Sequence, residues 1–301
     1  MDIKNVLALG GGNMGSKVSF YHAMYGYKVT QYDINDELLA KCKELHQSYV
    51  AEFKMVRPQF TDQQLEAGLA RISYTSNLED AAKDADLVTE SVPEVFEIKK
   101  DIYTKLGKLC PEHTIFTTNT STMLPSKFAE FTGRPDRFLA LHYGNPVWMA
   151  PIAEVMKHGG TDNAVFEAVV KFAQDSELKP IRLEKEQPGY IINSLLVPWI
   201  TAAFSLVVNG ITTHEDVDKT WLLCNPGALY GPFGVLDILG FEVAKNVIAL
   251  LAAAEPGNPQ HQKNIDYLEK NYINRGNFGI LTGQGFYNYP NPSFQNPDFL
   301  N

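Results

Sequence analysis

Cysteine is scarce in this 301-residue chain: Cys42, Cys110 and Cys224 stand far apart, odd in number and outside any CxxC spacing. That excludes a disulfide framework and a thiolate metal site, and reduced thiols in a cytoplasmic setting are the expectation. Positive charge is in deficit as well. A net charge of -9 excludes non-specific binding to nucleic acid or to an anionic membrane, leaving only local basic clusters for a phosphorylated ligand. Long hydrophobic runs are missing except at residues 191–208, where Asn193, Ser194, Pro198, Thr201 and Ser205 interrupt the stretch without a basic flank. That run reads as a buried helix and not as a membrane span. The start, Met1-Asp2-Ile3-Lys4-Asn5, lacks the charged opening and long apolar run of a signal peptide. Repeats and low-complexity tracts are absent too.

What the chain does contain is 45% hydrophobic residues, enough for about two buried cores. Short apolar strands at residues 4–9, 28–32, 87–89, 114–117 and 138–141 alternate with helical stretches, which predicts a mostly parallel sheet. Between Asn35 and Arg71 a charged pair of helices, with Pro58 and Thr61-Asp62 at the turn, is expected to project from that sheet. Around Glu184-Lys185-Glu186-Gln187-Pro188-Gly189 the pattern becomes helical to the end, with Thr213-His214-Glu215-Asp216 starting one helix and residues 241–254 forming another. Two domains follow, residues 1–185 and 186–301.

Gly10-Gly11-Gly12-Asn13-Met14-Gly15 satisfies G-x-G-x-x-G between the strand Val6-Leu7-Ala8-Leu9 and a helical run. Gly10 permits the tight turn, Gly12 lets backbone approach a pyrophosphate, and Gly15 lets the helix pack closely on the strand. A second strand ends at Tyr32-Asp33, and Asp33 is placed to accept from adenosine ribose hydroxyls. Ile34 and Asn35 offer no arginine for a 2′-phosphate, which favours NAD over NADP. The expected fold class is therefore α/β: an N-terminal Rossmann-like doubly wound sheet with a helical arm, then an all-α C-terminal domain.

A cofactor that accepts hydride needs a group that removes the alcohol proton. Leu141-His142-Tyr143-Gly144-Asn145-Pro146 and Ile152-Ala153-Glu154-Val155 set a histidine and a carboxylate on neighbouring apolar segments, a general base with an orienting anion. A single histidine is more often a packing or surface residue, and the pairing with Glu154 is what raises His142 above that.

The order of these motifs resembles the L-3-hydroxyacyl-CoA dehydrogenase family over essentially the whole chain. The resemblance is carried by the glycine fingerprint with Met14, Glu90 to Glu94 with Lys99, Thr118-Asn119-Thr120-Ser121, His142-x-x-Asn145-Pro146, Glu154, Pro188-Gly189-Tyr190-Ile191-Ile192-Asn193, Gly231-Pro232-Phe233 and Thr282-Gly283-x-Gly285-Phe286-Tyr287. It implies that His142 is the catalytic base, Glu154 its orienting carboxylate and Asn145 an ordering residue. Ser121 and Asn193 would meet the substrate, Asn193 arriving from the helical domain, while Glu94, Lys99, Asn119 and the fingerprint would meet NAD. It also implies a small-molecule substrate, a 3-hydroxyacyl-CoA of short chain, no metal and a homodimer built by the helical domain. Lys54 and Arg57 fall where the family's helical arm grips CoA, although basic residues on a helix are usually just solvated.

Four positions depart from the family pattern: Tyr143-Gly144 in place of two aromatics, Pro151 in place of lysine, Ser194 in place of arginine, and Ile280-Leu281 in place of basic residues. Gly144 is expected to open space beside the base. Pro151 is similar to the L-gulonate 3-dehydrogenase, lambda-crystallin and carnitine dehydrogenase branch of the superfamily. A free 3-hydroxy acid as substrate, or NAD binding without chemistry, stand as alternatives.

Overall fold

A computed structural model describes residues 2–300. By contacts the chain divides into two compact units, Met1–Ile191 and Ile192–Asn301.

The first unit runs β1 (Asn5–Leu9), α1 (Asn13–Met24), β2 (Lys28–Tyr32), α2 (Asp36–Val56), α3 (Asp62–Leu69), β3 (Ile72–Thr75), α4 (Leu78–Ala82), β4 (Leu87–Glu90), α5 (Phe96–Leu109), β5 (Ile115–Thr118), β6 (Phe138–Tyr143), β7 (Ile152–Met156), α6 (Asn163–Asp175) and β8 (Lys179–Leu183). Its sheet has the order β3-β2-β1-β4-β5-β6-β7-β8, parallel except where β7 returns antiparallel to β6. Helices cover both faces, so β4, β5 and β6 are buried at every residue, as parallel strands require. Strand order reverses at β1 and β4, and the β1–α1 loop lies at that switch point.

The α2–α3 excursion begins and ends where the sequence predicts it, but it does not stand away from the sheet. Leu39, Cys42, His46, Tyr49 and Phe53 line the buried face of α2, and Phe53 meets Phe20 of α1 edge to face at 5.5 Å between ring centres. Period-3.6 apolar spacing on a charged helix was the sign of this buried stripe.

The second unit is helical: α7 (Ile192–Val208), α8 (His214–Cys224), α9 (Pro232–Leu239), α10 (Phe241–Ala254) and α11 (Pro259–Asn271). Thr213 caps α8 by accepting from the Asp216 amide at 3.1 Å. The core gathers Phe204, Phe233, Phe241, Leu268 and Phe286. Contrary to the sequence reading, α7 is not a buried helix. It buries only Ile200, Ala203 and Phe204 within this chain, because its apolar residues run around the whole helix and one neighbouring face covers one stripe.

Candidate active site

The glycine loop shows why each glycine is there. A Cβ on Gly10 would strike the Ser91 carbonyl oxygen at 2.7 Å, and one on Gly15 would strike the Gly10 oxygen at 1.9 Å. A Cβ on Gly12 would meet nothing within 4 Å, so this position faces open space. Gly12 also caps α1 without a side chain, whereas Asn35 and Thr61 cap α2 and α3, so the first amides of α1 are left for an outside anion. Asp33 accepts from the Gly11 amide at 2.7 Å and the Ile34 amide at 2.7 Å, fixing its carboxylate beside the loop. These residues fit a dinucleotide.

At the ends of β4 and β5 lies a buried polar network. Glu90 is fully buried and takes the Lys99 ammonium at 2.6 Å, the Val92 amide at 2.9 Å, the Tyr103 hydroxyl at 3.0 Å and the Thr118 hydroxyl at 2.8 Å. Lys99 also meets Glu94 at 3.1 Å and is only 1% exposed. Its ammonium is therefore paired inside the protein with Glu90 and with Glu94, which it holds in place. Burial by itself would raise the Glu94 carboxyl, but Lys99 and the hydroxyls of Thr120 and Thr122 bring it below the usual carboxylate value. Asn119 bridges strands, accepting from the Tyr143 amide at 3.0 Å and donating to Ser91 at 3.3 Å.

The candidate base, His142, sits on β6. The antiparallel register pairs His142 directly with Glu154, which puts both side chains on one face of the sheet and explains the twelve-residue spacing. His142 Nδ1 lies 2.9 Å from Glu154 Oε2, and Glu154 Oε1 accepts the Ile191 amide at 2.8 Å. With Nδ1 donating to Glu154, Nε2 is the nitrogen left to present a lone pair. The Ser121 hydroxyl meets Nε2 at 3.0 Å, at the edge the substrate hydroxyl would occupy. Glu154 is fully buried and His142 only 7% exposed, so an imidazolium there is stabilised by a carboxylate that water screens weakly.

Two features of this site have no clear sign in the sequence, the ring stacked on His142 and a lysine of α1. Tyr190 stacks on His142 with ring centres 4.4 Å apart and planes 12° apart, using a positive φ of 54° that follows Gly189 at 78°. Its only signal was the Pro188-Gly189 turn. Tyr143 does not line the site: it is buried, 2.9 Å from His22 Nε2, and burial lowers His22 to about 3. Gly144 does not open space either, since a Cβ there would meet the Ala150 oxygen at 2.3 Å; the β6–β7 connection fills the room. The second feature is Lys17 of α1, which contacts Asn145. Lys54 pairs with Asp62 at the surface, and Arg57 donates to the Val56 carbonyl while facing Tyr21 and Tyr25, without a carboxylate partner. Asn193 stands in the first turn of α7, in the second unit.

Residues 5–187 match the family model described as the 3-hydroxyacyl-CoA dehydrogenase NAD binding domain, and residues 189–289 match its C-terminal domain. The chain belongs to the 3-hydroxyacyl-CoA dehydrogenase family. It carries that family's NAD-binding domain, so its cofactor is NAD and it is an NAD-dependent oxidoreductase. It is similar to the mitochondrial hydroxyacyl-coenzyme A dehydrogenase of Rattus norvegicus, 33% identical over 95% of this chain and 91% of that one. Among solved structures it is similar to a diketoreductase described by its substrate-directed dual catalysis of dicarbonyl compounds. That match is 44% identical with a TM-score of 0.88, over 96% of this chain and 100% of the other. The (S)-3-hydroxybutyryl-CoA dehydrogenase of Ralstonia eutropha is 28% identical with a TM-score of 0.82, over 96% of this chain and 99% of that one. No helix among the described residues of this dehydrogenase-family chain is long and apolar enough to cross a membrane.

Proposed function

We propose that this chain interconverts a short 3-hydroxyacyl-CoA and its 3-oxoacyl-CoA, with His142 as general base and Glu154 as its orienting carboxylate. The observation that carries the reading is the hydrogen-bonded series Glu154, His142, Ser121, which leaves a basic Nε2 beside a hydroxyl. NAD, when bound, supplies the hydride acceptor for C3, and NADH the donor in the reverse direction. His142 Nε2 takes the substrate hydroxyl proton while Glu154 stabilises the imidazolium through Nδ1. Ser121 steadies the reacting oxygen, with Asn145 and Asn193 ordering the substrate. Asp33, Glu94, Asn119 and the residues Gly10 to Gly15 hold the cofactor. The test is NADH oxidation with acetoacetyl-CoA: turnover that collapses in His142→Ala supports the reading, and NADH binding without turnover of any 3-oxo compound overturns it.

A second reading is favoured by the 44% identity to a diketoreductase and by the pairing of Lys54 with Asp62. In it the substrate is a small free dicarbonyl or 3-hydroxy acid and the chemistry is unchanged. We further propose that the helical unit serves substrate binding and homodimerisation, because Leu195 on α7 and Leu250 on α10 are 70% and 51% exposed. Three free cysteines, two of them buried, suit a cytoplasmic setting.

A further inference from the structure

Lys17 lies in the second turn of α1 and is half-buried. Its ammonium donates to Asn13 Oδ1 at 2.7 Å and to Asn145 Oδ1 at 2.9 Å, joining the glycine fingerprint to the strand end that carries His142. Both partners are neutral amides. Among the described residues its only carboxylate influence is Glu52 of α2, acting through space without an ion pair. Two other cations already face carboxylates: Lys99 lies between Glu90 and Glu94, and Lys54 on Asp62. Arg57 meets only the Val56 carbonyl and two tyrosines, far from the fingerprint in sequence, whereas Lys17, also without a carboxylate partner, stands beside Asn145 and keeps a third N–H for something that is not part of the chain.

A cation withdrawn from water without a counter-ion carries a cost, and here burial lowers the pKa of the ammonium. An arriving anion recovers that cost through a charge-assisted hydrogen bond. The position favours substrate over cofactor as the source of the anion. The α1 amides already face the place of a pyrophosphate, whereas Lys17 reaches across to Asn145, three residues beyond the base. With Oδ1 held by Lys17, Asn145 presents Nδ2 as a donor on its other side.

We propose that Lys17 is the anion anchor of the substrate site, its ammonium receiving the carboxylate of a free 3-oxo or 3-hydroxy acid beside Asn145. This rests on the second reading above and names its substrate class. A phosphate of the cofactor presents the same anionic oxygens, so the experiment separates the two sources.

The experiment compares acetoacetate with ethyl acetoacetate, the same reacting group without the charge, using NADH and the wild type, Lys17→Met and Lys17→Arg. NADH Kd is measured in parallel by fluorescence. The ratio of kcat/KM for acid over ester is expected to fall about tenfold or more in Lys17→Met, the worth of a charge-assisted hydrogen bond, and to be largely kept in Lys17→Arg. NADH Kd is expected to change less than that ratio. An unchanged ratio with both substrates slowed would reduce Lys17 to a support for Asn145 and overturn the proposal. A raised NADH Kd with an unchanged ratio would assign the anion to the cofactor and overturn it equally. A wild type inert toward every 3-oxo compound removes the proposed function and this inference together, whereas an active wild type with an unchanged ratio removes this inference alone.

Discussion

The two units solve burial differently. In the first, helices on both faces cover the sheet, and β5 and β6 are buried at every residue. In the second, α7 leaves all but three of its 17 residues short of burial, and Leu195, Leu250 and Val243 stand 70%, 51% and 53% exposed. A doubly covered parallel sheet completes its own core, while helices that are apolar on every side need a further surface to cover them. The buried charges differ as well. Those of the first unit, Glu90 and Lys99, lie at the candidate site, where Lys99 and two hydroxyls also hold the more exposed Glu94 below the usual carboxylate value. In the second unit Asp218 and Asp237 are scaffolding, bonded to the amides of Phe233, Gly234, Phe286 and Tyr287, and burial raises both, Asp237 to about 6.

The largest effect expected is confined to the first unit. His142→Ala lowers kcat about a hundredfold to ten-thousandfold in NADH oxidation with a 3-oxo substrate, the usual worth of a general base. In calorimetry the same variant leaves the unfolding of the second unit where it was; movement of both units together would dissolve the contrast drawn above.

Acid is expected to push the units in opposite directions. Burial lowers His22 to about 3 and His46 to about 4, so both are neutral in the folded first unit. Their unfolded forms take up protons near pH 6.5, so this stability is present above that pH and is lost as pH falls, on the order of 4 kcal/mol for the pair between pH 7 and 5. Asp237 has the opposite sign. Its folded value is raised, so its contribution is full below pH 4 and is lost as pH rises through 6, and the second unit gains about 1 kcal/mol over the same acidification. His214, lowered by burial, offsets part of that gain. Calorimetry at pH 7 and pH 5 reads both slopes, and parallel shifts would contradict the assignment.

Glu154→Gln keeps the shape of the buried pair and removes the charge. A kcat loss of about ten- to a hundredfold is expected, smaller than for His142→Ala, because the base survives with a weaker partner. Equal loss in the two variants would mean that the pair acts only as a unit. The smallest thermodynamic effect belongs to the outer face of the helical unit. Leu195→Glu with Leu250→Glu is expected to halve the mass seen by light scattering while the first unit keeps its stability within about 0.5 kcal/mol, as surface changes do. A wild type that is already monomeric at micromolar concentration would refute the proposed dimer.

How much of this was legible follows from chain separation. The fingerprint was, because Gly10 to Gly15 act within one strand-turn-helix and Asp33 closes the next strand. His142 with Glu154 was, because an antiparallel return pairs residues only twelve apart. Strand β3 passed unnoticed, four residues long and half exposed, and so did β8, a mixed Lys-Pro-Ile-Arg-Leu at the sheet edge. The ion pairs of Lys99 were not legible, since nothing in its own helix tells that Glu90 and Glu94 enclose it. Gly144 looked like open space, since the turn that fills it is built by Ala150.

The sequence by itself determined the local chemistry: the anion-binding turn, the hairpin that pairs base with carboxylate, the change from alternating strands and helices to helices alone. Only the tertiary structure decided which groups meet across long stretches of chain. The sheet order brings β6 beside β5, so Ser121 reaches His142, and the α1 packing puts Lys17 on Asn145, 128 residues away. Local patterns depend on spacing that a short segment carries within itself, whereas these contacts exist only once burial has assembled the core and removed water from around the charges.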